Sequence, residues 1–135
     1  LLVQGQMSKA EILQEHRRRI DQGDSSIIFG LASFAEGVDL PGDYCSHVII
    51  AKLPFAAPDD PIDAAHAELL EAAGRNPFME LTVPVASLRL LQACGRLLRT
   101  EADEGVITLL DRRIITKRYG RAIMSALPRY QFELQ

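Results

Sequence analysis

Gln92, Gly95, Arg96 and Arg99 are the residues whose types and spacing suggest chemistry. They lie in the stretch Gln92-Ala93-Cys94-Gly95-Arg96-Leu97-Leu98-Arg99. At helical pitch Arg96 and Arg99 are three residues apart, so both guanidinium groups leave nearly the same face and can converge on one anion. Gly95 has no Cβ and lets a ligand or an opposing backbone approach closely. A planar guanidinium pairs bidentately with phosphoryl oxygens, which suits it to charge moving within a breaking phosphate ester. Gln92 can position a water or touch a terminal phosphate. Two arginines at this spacing also fit a plain surface salt-bridge pattern, and the stretch alone leaves both readings open.

A second stretch runs Ser33-Phe34-Ala35-Glu36-Gly37-Val38-Asp39-Leu40-Pro41-Gly42-Asp43. It follows the apolar run Ser26-Ile27-Ile28-Phe29, so a strand feeds a loop rich in glycine and acid. Ligands of open α/β sheets bind at that end of a strand. Together, SFAEGVDLPGD and QACGRLLR resemble motifs V and VI of superfamily 2 helicases, most nearly the DinG-like and XPD-like branch that unwinds DNA 5′ to 3′. LLVQG, KLPFAAPDDPI, NPF, TVPVASLRLLQACGRLLR, GVITLLDRRIITKRYGR and SALP agree in order, so the likeness covers nearly the whole chain.

The resemblance implies an α/β fold: one three-layer RecA-like domain of the P-loop NTPase type over residues 1–135, with a mainly parallel sheet. It would be the second, C-terminal motor domain of a longer helicase, starting after motif IV. Arg99 becomes the main arginine finger and Arg96 its partner, with Gln92 at the γ-phosphate. Glu36, Gly37, Asp39 and Gly95 fall near ATP. Ser33 and Phe34 fall near DNA. From their residue types, Arg112, Arg113, Lys117 and Arg121 could line a strand-binding groove, with Tyr119 available for stacking, and Arg112 and Arg113 could equally pair with local acids. Partners are single-stranded, forked or duplex DNA and the first RecA-like domain of the same parent chain. ATP and Mg2+ would be shared with that first domain, which would also house any 4Fe-4S cluster. No Gly-Lys-Ser/Thr phosphate loop and no DEAH-like box occur here. The segment alone is therefore expected to be inactive.

Elements must position these residues. Ser8 and Glu11 form a capping box for a helix with Ile12, Leu13, His16 and Ile20 on one face, ending near Gly23, with Arg17, Arg18 and Arg19 mostly outward. Apolar runs predict strands over 25–30, buried on both faces as in a parallel sheet, over 47–51 and over 105–111. Pro54, Pro58 and Pro61 stiffen a loop before a helix over 62–73. From Val85 a helix buries Leu88, Leu91, Leu97 and Leu98 and carries Gln92, Arg96 and Arg99 on the other flank. A last helix opens at Lys117 and stops at Leu127-Pro128.

The chain has 135 residues, 47% of them hydrophobic and 24% charged, which suits a soluble globular domain. No apolar run approaches the roughly 18 to 20 residues of a membrane helix. The start, Leu1-Leu2-Val3-Gln4, has neither an initiator methionine nor the basic flank of a signal peptide, and reads as the middle of a longer protein. Cys45 and Cys94 are too few for a zinc or iron-sulfur set and are expected as reduced thiols of a cytoplasmic protein. His16 and His66 have no partners at metal spacing. The net charge of −3 hides an uneven distribution. Residues 1–88 hold six Lys or Arg against thirteen Asp or Glu, whereas residues 89–121 hold eight against four. The later stretch is the polyanion candidate, since phosphate binding needs local positive charge.

A free-standing, non-catalytic adaptor that binds DNA or protein stays open as an alternative. So does the helicase part of a nuclease-helicase fusion.

Overall fold

The computed structural model describes residues 1–56, 60–97 and 104–134. Leu98, Arg99 and Pro58 lie outside them. The described chain alternates strands and helices: β1 (Leu2–Val3), α1 (Lys9–Asp21), β2 (Ile28–Phe29), α2 (Ala32–Ala35), a 3-10 turn (Gly42–Tyr44), β3 (His47–Ile50), α3 (Pro61–Ala72), a π-turn (Phe78–Thr82), α4 (Val83–Cys94), β4 (Val106–Leu109), α5 (Arg113–Thr116) and α6 (Arg118–Ser125). The strands form two pairs, β1 with β2 and β3 with β4. β1 and β2 are parallel, Leu2 opposite Ile28 and Val3 opposite Phe29. Amide donors at Val106 and Leu110 reach the carbonyls of Ser46 and Ile50. Both strands advance together, so this pair too is parallel.

The chain divides into two compact units, 1–48 with 93–108, and 49–92 with 109–135. In the first, Leu2, Ile12, Phe34, Val38 and Leu40 form the core, with Leu13, Ile28, Tyr44 and Cys45 packed against it. α1 begins as its sequence predicts. Ser8 Oγ accepts from the Glu11 amide and the Glu11 carboxylate accepts from the Ser8 amide, completing the capping box. His16 is buried and joins three segments. Its Nε2 lies 2.8 Å from the Tyr44 carbonyl and its Nδ1 2.8 Å from Ser26 Oγ. A carbonyl only accepts, so Nε2 carries the proton, and in the neutral ring Nδ1 accepts from the serine.

In the second unit Leu53, Leu70, Val83, Ala86, Leu90 and Ile123 are buried. Phe55, Phe78 and Tyr119 stack their rings with centroids 5.2 to 5.6 Å apart. Asp111 closes the end of β4. It accepts from the Leu53 amide at 2.9 Å and from Arg113 Nη2 at 2.6 Å. α5 and α6 meet at Gly120, where a Cβ would lie 1.9 Å from the Ile114 carbonyl oxygen. Only glycine permits that approach.

Several sequence expectations change. The strand expected over 25–30 is confined to Ile28–Phe29 and is not buried on both faces, for Ile27 and Phe29 are 61% and 66% exposed. Within the described residues β2 has one neighbour, so one strand edge and much apolar surface face outward. α4 starts at Val83 rather than Val85 and buries Val83, Ala86, Leu90 and Cys94, while Leu88 is exposed. Its inner stripe is made of small residues as well as leucine. A reading weighted toward leucines rotates the helix. α4 also stops at Cys94, so Gly95 and Arg96 lie on a turn rather than on a continuous helix.

Candidate functional site

The loop from Ser33 to Asp43 is built from the core outward. Phe34, Val38 and Leu40 point inward and are buried, so the residues between them are turned out: Ser33, Glu36, Gly37 and Asp39 are exposed. Gly37 has φ of 70°, in the left-handed region that side chains with a Cβ avoid. This reversal lets Val38 return to the core directly after an exposed Glu36. Phe34, expected at a nucleic-acid surface, instead packs in the core, which leaves Ser33 as the exposed residue of that pair.

Three cationic side chains converge on the backbone of this loop. Lys9 Nζ donates to the Glu36 carbonyl. Arg17 Nη2 donates to the Asp39 carbonyl at 2.7 Å. Arg96 Nη1 reaches the Val38 carbonyl at 3.4 Å, at the long end for such a bond. Three nearby carbonyl oxygens thus face positive charge, and these three contacts are made to backbone oxygens. α1 supplies two of the cations because Lys9 and Arg17 stand eight residues apart, flanking the buried Ile12 and His16 on one face.

Arg17, Arg18 and Arg19, expected to point mostly outward, are exposed at 17 and 18 and half-buried at 19, but they differ in their partners. Arg18 and Arg19 both pair with Glu15 at 2.7 Å, and their guanidinium groups hold its carboxyl down to about 2. Arg17 instead turns to the loop and lies over the Tyr44 ring. The sequence carries a signal for this, the shared helical face of Lys9, Ile12, His16 and Arg17. Residue types alone do not single out Arg17.

Of the arginine segment, Arg96 is half-buried beside the loop and Gly95 is exposed. Gln92 is exposed on the last turn of α4. Arg99, expected as the main finger, lies outside the described residues. Cys94 is buried, and burial pushes its thiol up, consistent with a packing role.

In the second unit Ile115, Thr116, Lys117, Arg118 and Arg121 line a surface hollow. Lys117, Arg118 and Arg121 are all exposed, so three cations edge one depression. Arg118 is an addition to the residues expected there. Tyr119, expected to be available for stacking on bases, is engaged with Phe55 and Phe78. Arg113 is paired with Asp111, whose carboxyl it holds well below the usual carboxylate range. Among the described residues no three His, Cys, Asp or Glu side chains cluster as a metal site, and no helix is long and apolar enough to cross a membrane.

Known proteins share this sequence pattern. Residues 1–130 match the family described as Helicase C-terminal domain. The chain is 50% identical over 131 residues to the ATP-dependent DNA helicase DinG of Photobacterium profundum, covering 97% of this chain and 19% of that protein. It is 40% identical over 133 residues to the ATP-dependent DNA helicase DinG of Escherichia coli (strain K12), and 39% identical over 133 residues to that of Salmonella typhimurium. Each of these two alignments covers 98% of this chain and 19% of the relative. The chain thus spans about a fifth of the length of these curated relatives.

Proposed function

The chain belongs to the helicase C-terminal domain family, and on that premise we propose that it is the second motor domain, three-layered and RecA-like, of an ATP-dependent DNA helicase of DinG type. The parent protein moves 5′ to 3′ on single-stranded DNA in the cytoplasm, acting on repair or replication intermediates. The observation that carries this reading is the approach of Arg96 to the Val38 carbonyl, which joins the two stretches resembling motifs VI and V.

In this reading Arg96 and Arg99 stabilise charge on the triphosphate, and Gln92 positions water or the γ-phosphate. Glu36, Gly37, Asp39 and Gly95 form the nucleotide side of the site. ATP with Mg2+ supplies the phosphoryl group when bound. This chain's described residues offer cations and loop groups to it rather than a metal-ligand set. Supplying arginines from a second domain makes turnover depend on closure of the cleft, a strategy worth about 10³ to 10⁵ in rate in related hydrolases. Ser33, Lys117 and Arg121 contact the DNA backbone, and the cation-edged hollow supports this role for the last two.

The test is DNA-stimulated ATP hydrolysis by the full-length protein, with and without Arg99→Ala. The variant is expected to bind DNA but lose turnover. The 135-residue segment alone is expected to show no turnover, and robust hydrolysis by it would overturn the reading.

A further inference from the structure

Lys9 and Arg17 belong to neither motif-like stretch, yet both end on the carbonyls of the Ser33–Asp43 loop. We infer that they are positioning residues: α1 clamps the backbone of the loop that couples DNA to ATP, so that loop conformation, and with it coupling, depends on these two cations. The inference deepens the proposed function and rests on it for the word coupling, whereas the clamp itself stands on geometry alone.

The contacts form one arrangement. Lys9 holds Glu36 from the first turn of α1, and Arg17 holds Asp39 from two turns further on. Between them Ile12 is fully buried in the core that contains Phe34 and Val38, and His16 fixes the Tyr44 carbonyl just past the loop. The 3-10 turn that follows is tied to α1 a second time, the Tyr44 hydroxyl donating to Asp21 at 2.7 Å. The helix therefore grips the loop at 36 and 39 and its exit at 44. Arg96 holds Val38 from the other segment. Two arginines from distant parts of the chain thus donate to consecutive carbonyls, so displacing one shifts the peptide that the other grips.

The clamp uses backbone atoms. The residues it grips, Glu36 and Asp39, are exposed. Arg18 is the internal control, because its guanidinium bonds to Glu15 and Gln22, both on or beside α1 itself.

The experiment uses the full-length protein with Lys9→Ala, Arg17→Ala, Arg17→Lys and Arg18→Ala. Amide hydrogen exchange over residues 36–44 reads the clamp. Single-stranded DNA affinity and the ratio of DNA-stimulated to basal ATPase read its consequence. Lys9→Ala and Arg17→Ala are expected to speed exchange over 36–44 and to lower the stimulation ratio by at least about fivefold, with DNA affinity retained. Arg17→Lys recovers part of both, since an ammonium can still reach one carbonyl. Arg18→Ala leaves both unchanged. Unaltered exchange in Arg17→Ala overturns the clamp. Faster exchange with an unaltered ratio overturns its coupling role. A wild-type protein without DNA-stimulated ATPase refutes the proposed function and the coupling role together, while exchange still decides the clamp.

Discussion

Arg17 and Arg96, 79 positions apart in sequence, donate to neighbouring peptide carbonyls: Arg17 to Asp39 at 2.7 Å and Arg96 to Val38 at 3.4 Å. The loop they share is the one whose exposed residues include Glu36, Gly37 and Asp39. An arginine held this way has a guanidinium already placed beside the loop before any ligand arrives.

Replacing Arg96 with alanine in the full-length protein is expected to cut DNA-stimulated ATP turnover by about 10³ or more. Lysine should not restore it, because an ammonium cannot make a planar two-point contact. Steady-state hydrolysis checks this, with DNA affinity as the control. Turnover within a few-fold of wild type would remove Arg96 from the reaction.

The hollow edged by Lys117, Arg118 and Arg121 predicts a salt effect. Each cation withdrawn from a phosphate of single-stranded DNA should reduce the slope of log affinity against log salt by about 0.7. Alanine at all three positions therefore lowers the slope by about 2 if each cation meets one phosphate. Fluorescence anisotropy over a salt series measures it. An unchanged slope would show that the polyanion runs elsewhere.

Phe34→Ala is expected to destabilise the fold by about 3 to 5 kcal/mol, because the ring is buried in the core. Ser33→Ala should leave melting nearly unchanged, since that residue is exposed. Thermal melting of both variants separates the two roles. A Phe34→Ala protein that melts like wild type but binds DNA poorly would return the ring to the nucleic-acid surface.

Asp111 supplies a pH test. Chiefly Arg113 lowers its folded pKa, with the Leu53 and Arg113 amides assisting. A depressed folded pKa means the carboxylate stabilises the fold fully above its unfolded value, about 3.9, and loses that contribution as pH falls toward the folded value. Asp111→Ala should therefore be less stable than wild type at neutral pH. The gap should be unchanged between about pH 7 and 5 and shrink only in stronger acid. Chemical denaturation across that range is the measurement, and a gap that closes near neutrality would contradict it.

Much of the fold is legible in the sequence where one residue type has one strong local preference. The Ser8–Glu11 capping box and the helix ending near Gly23 follow from such preferences. The α4 face misleads because Ala86 and Cys94, both small, take inner positions while Leu88 does not. The clamp is illegible for a different reason. Lys9 and Arg17 act on carbonyl oxygens, which every residue carries, so no spacing of side-chain types marks the target. Tyr119 and Phe34 show the same limit for aromatics, since a ring suited to stacking on a base is equally suited to a core.

Gly120 carries a mechanical implication. With the α6 backbone seated where a single methyl group would strike Ile114, the α5–α6 corner has no slack in which to slide. Arg113, whose guanidinium is paired to Asp111, begins that corner, and Asp111 is tied in turn to the Leu53 amide. Traction applied at Lys117 or Arg121 would thus be borne by a stiff bracket and passed to the end of β4 rather than absorbed by hinge bending. Alanine at position 120 would force α5 and α6 apart at that corner without removing a single charge.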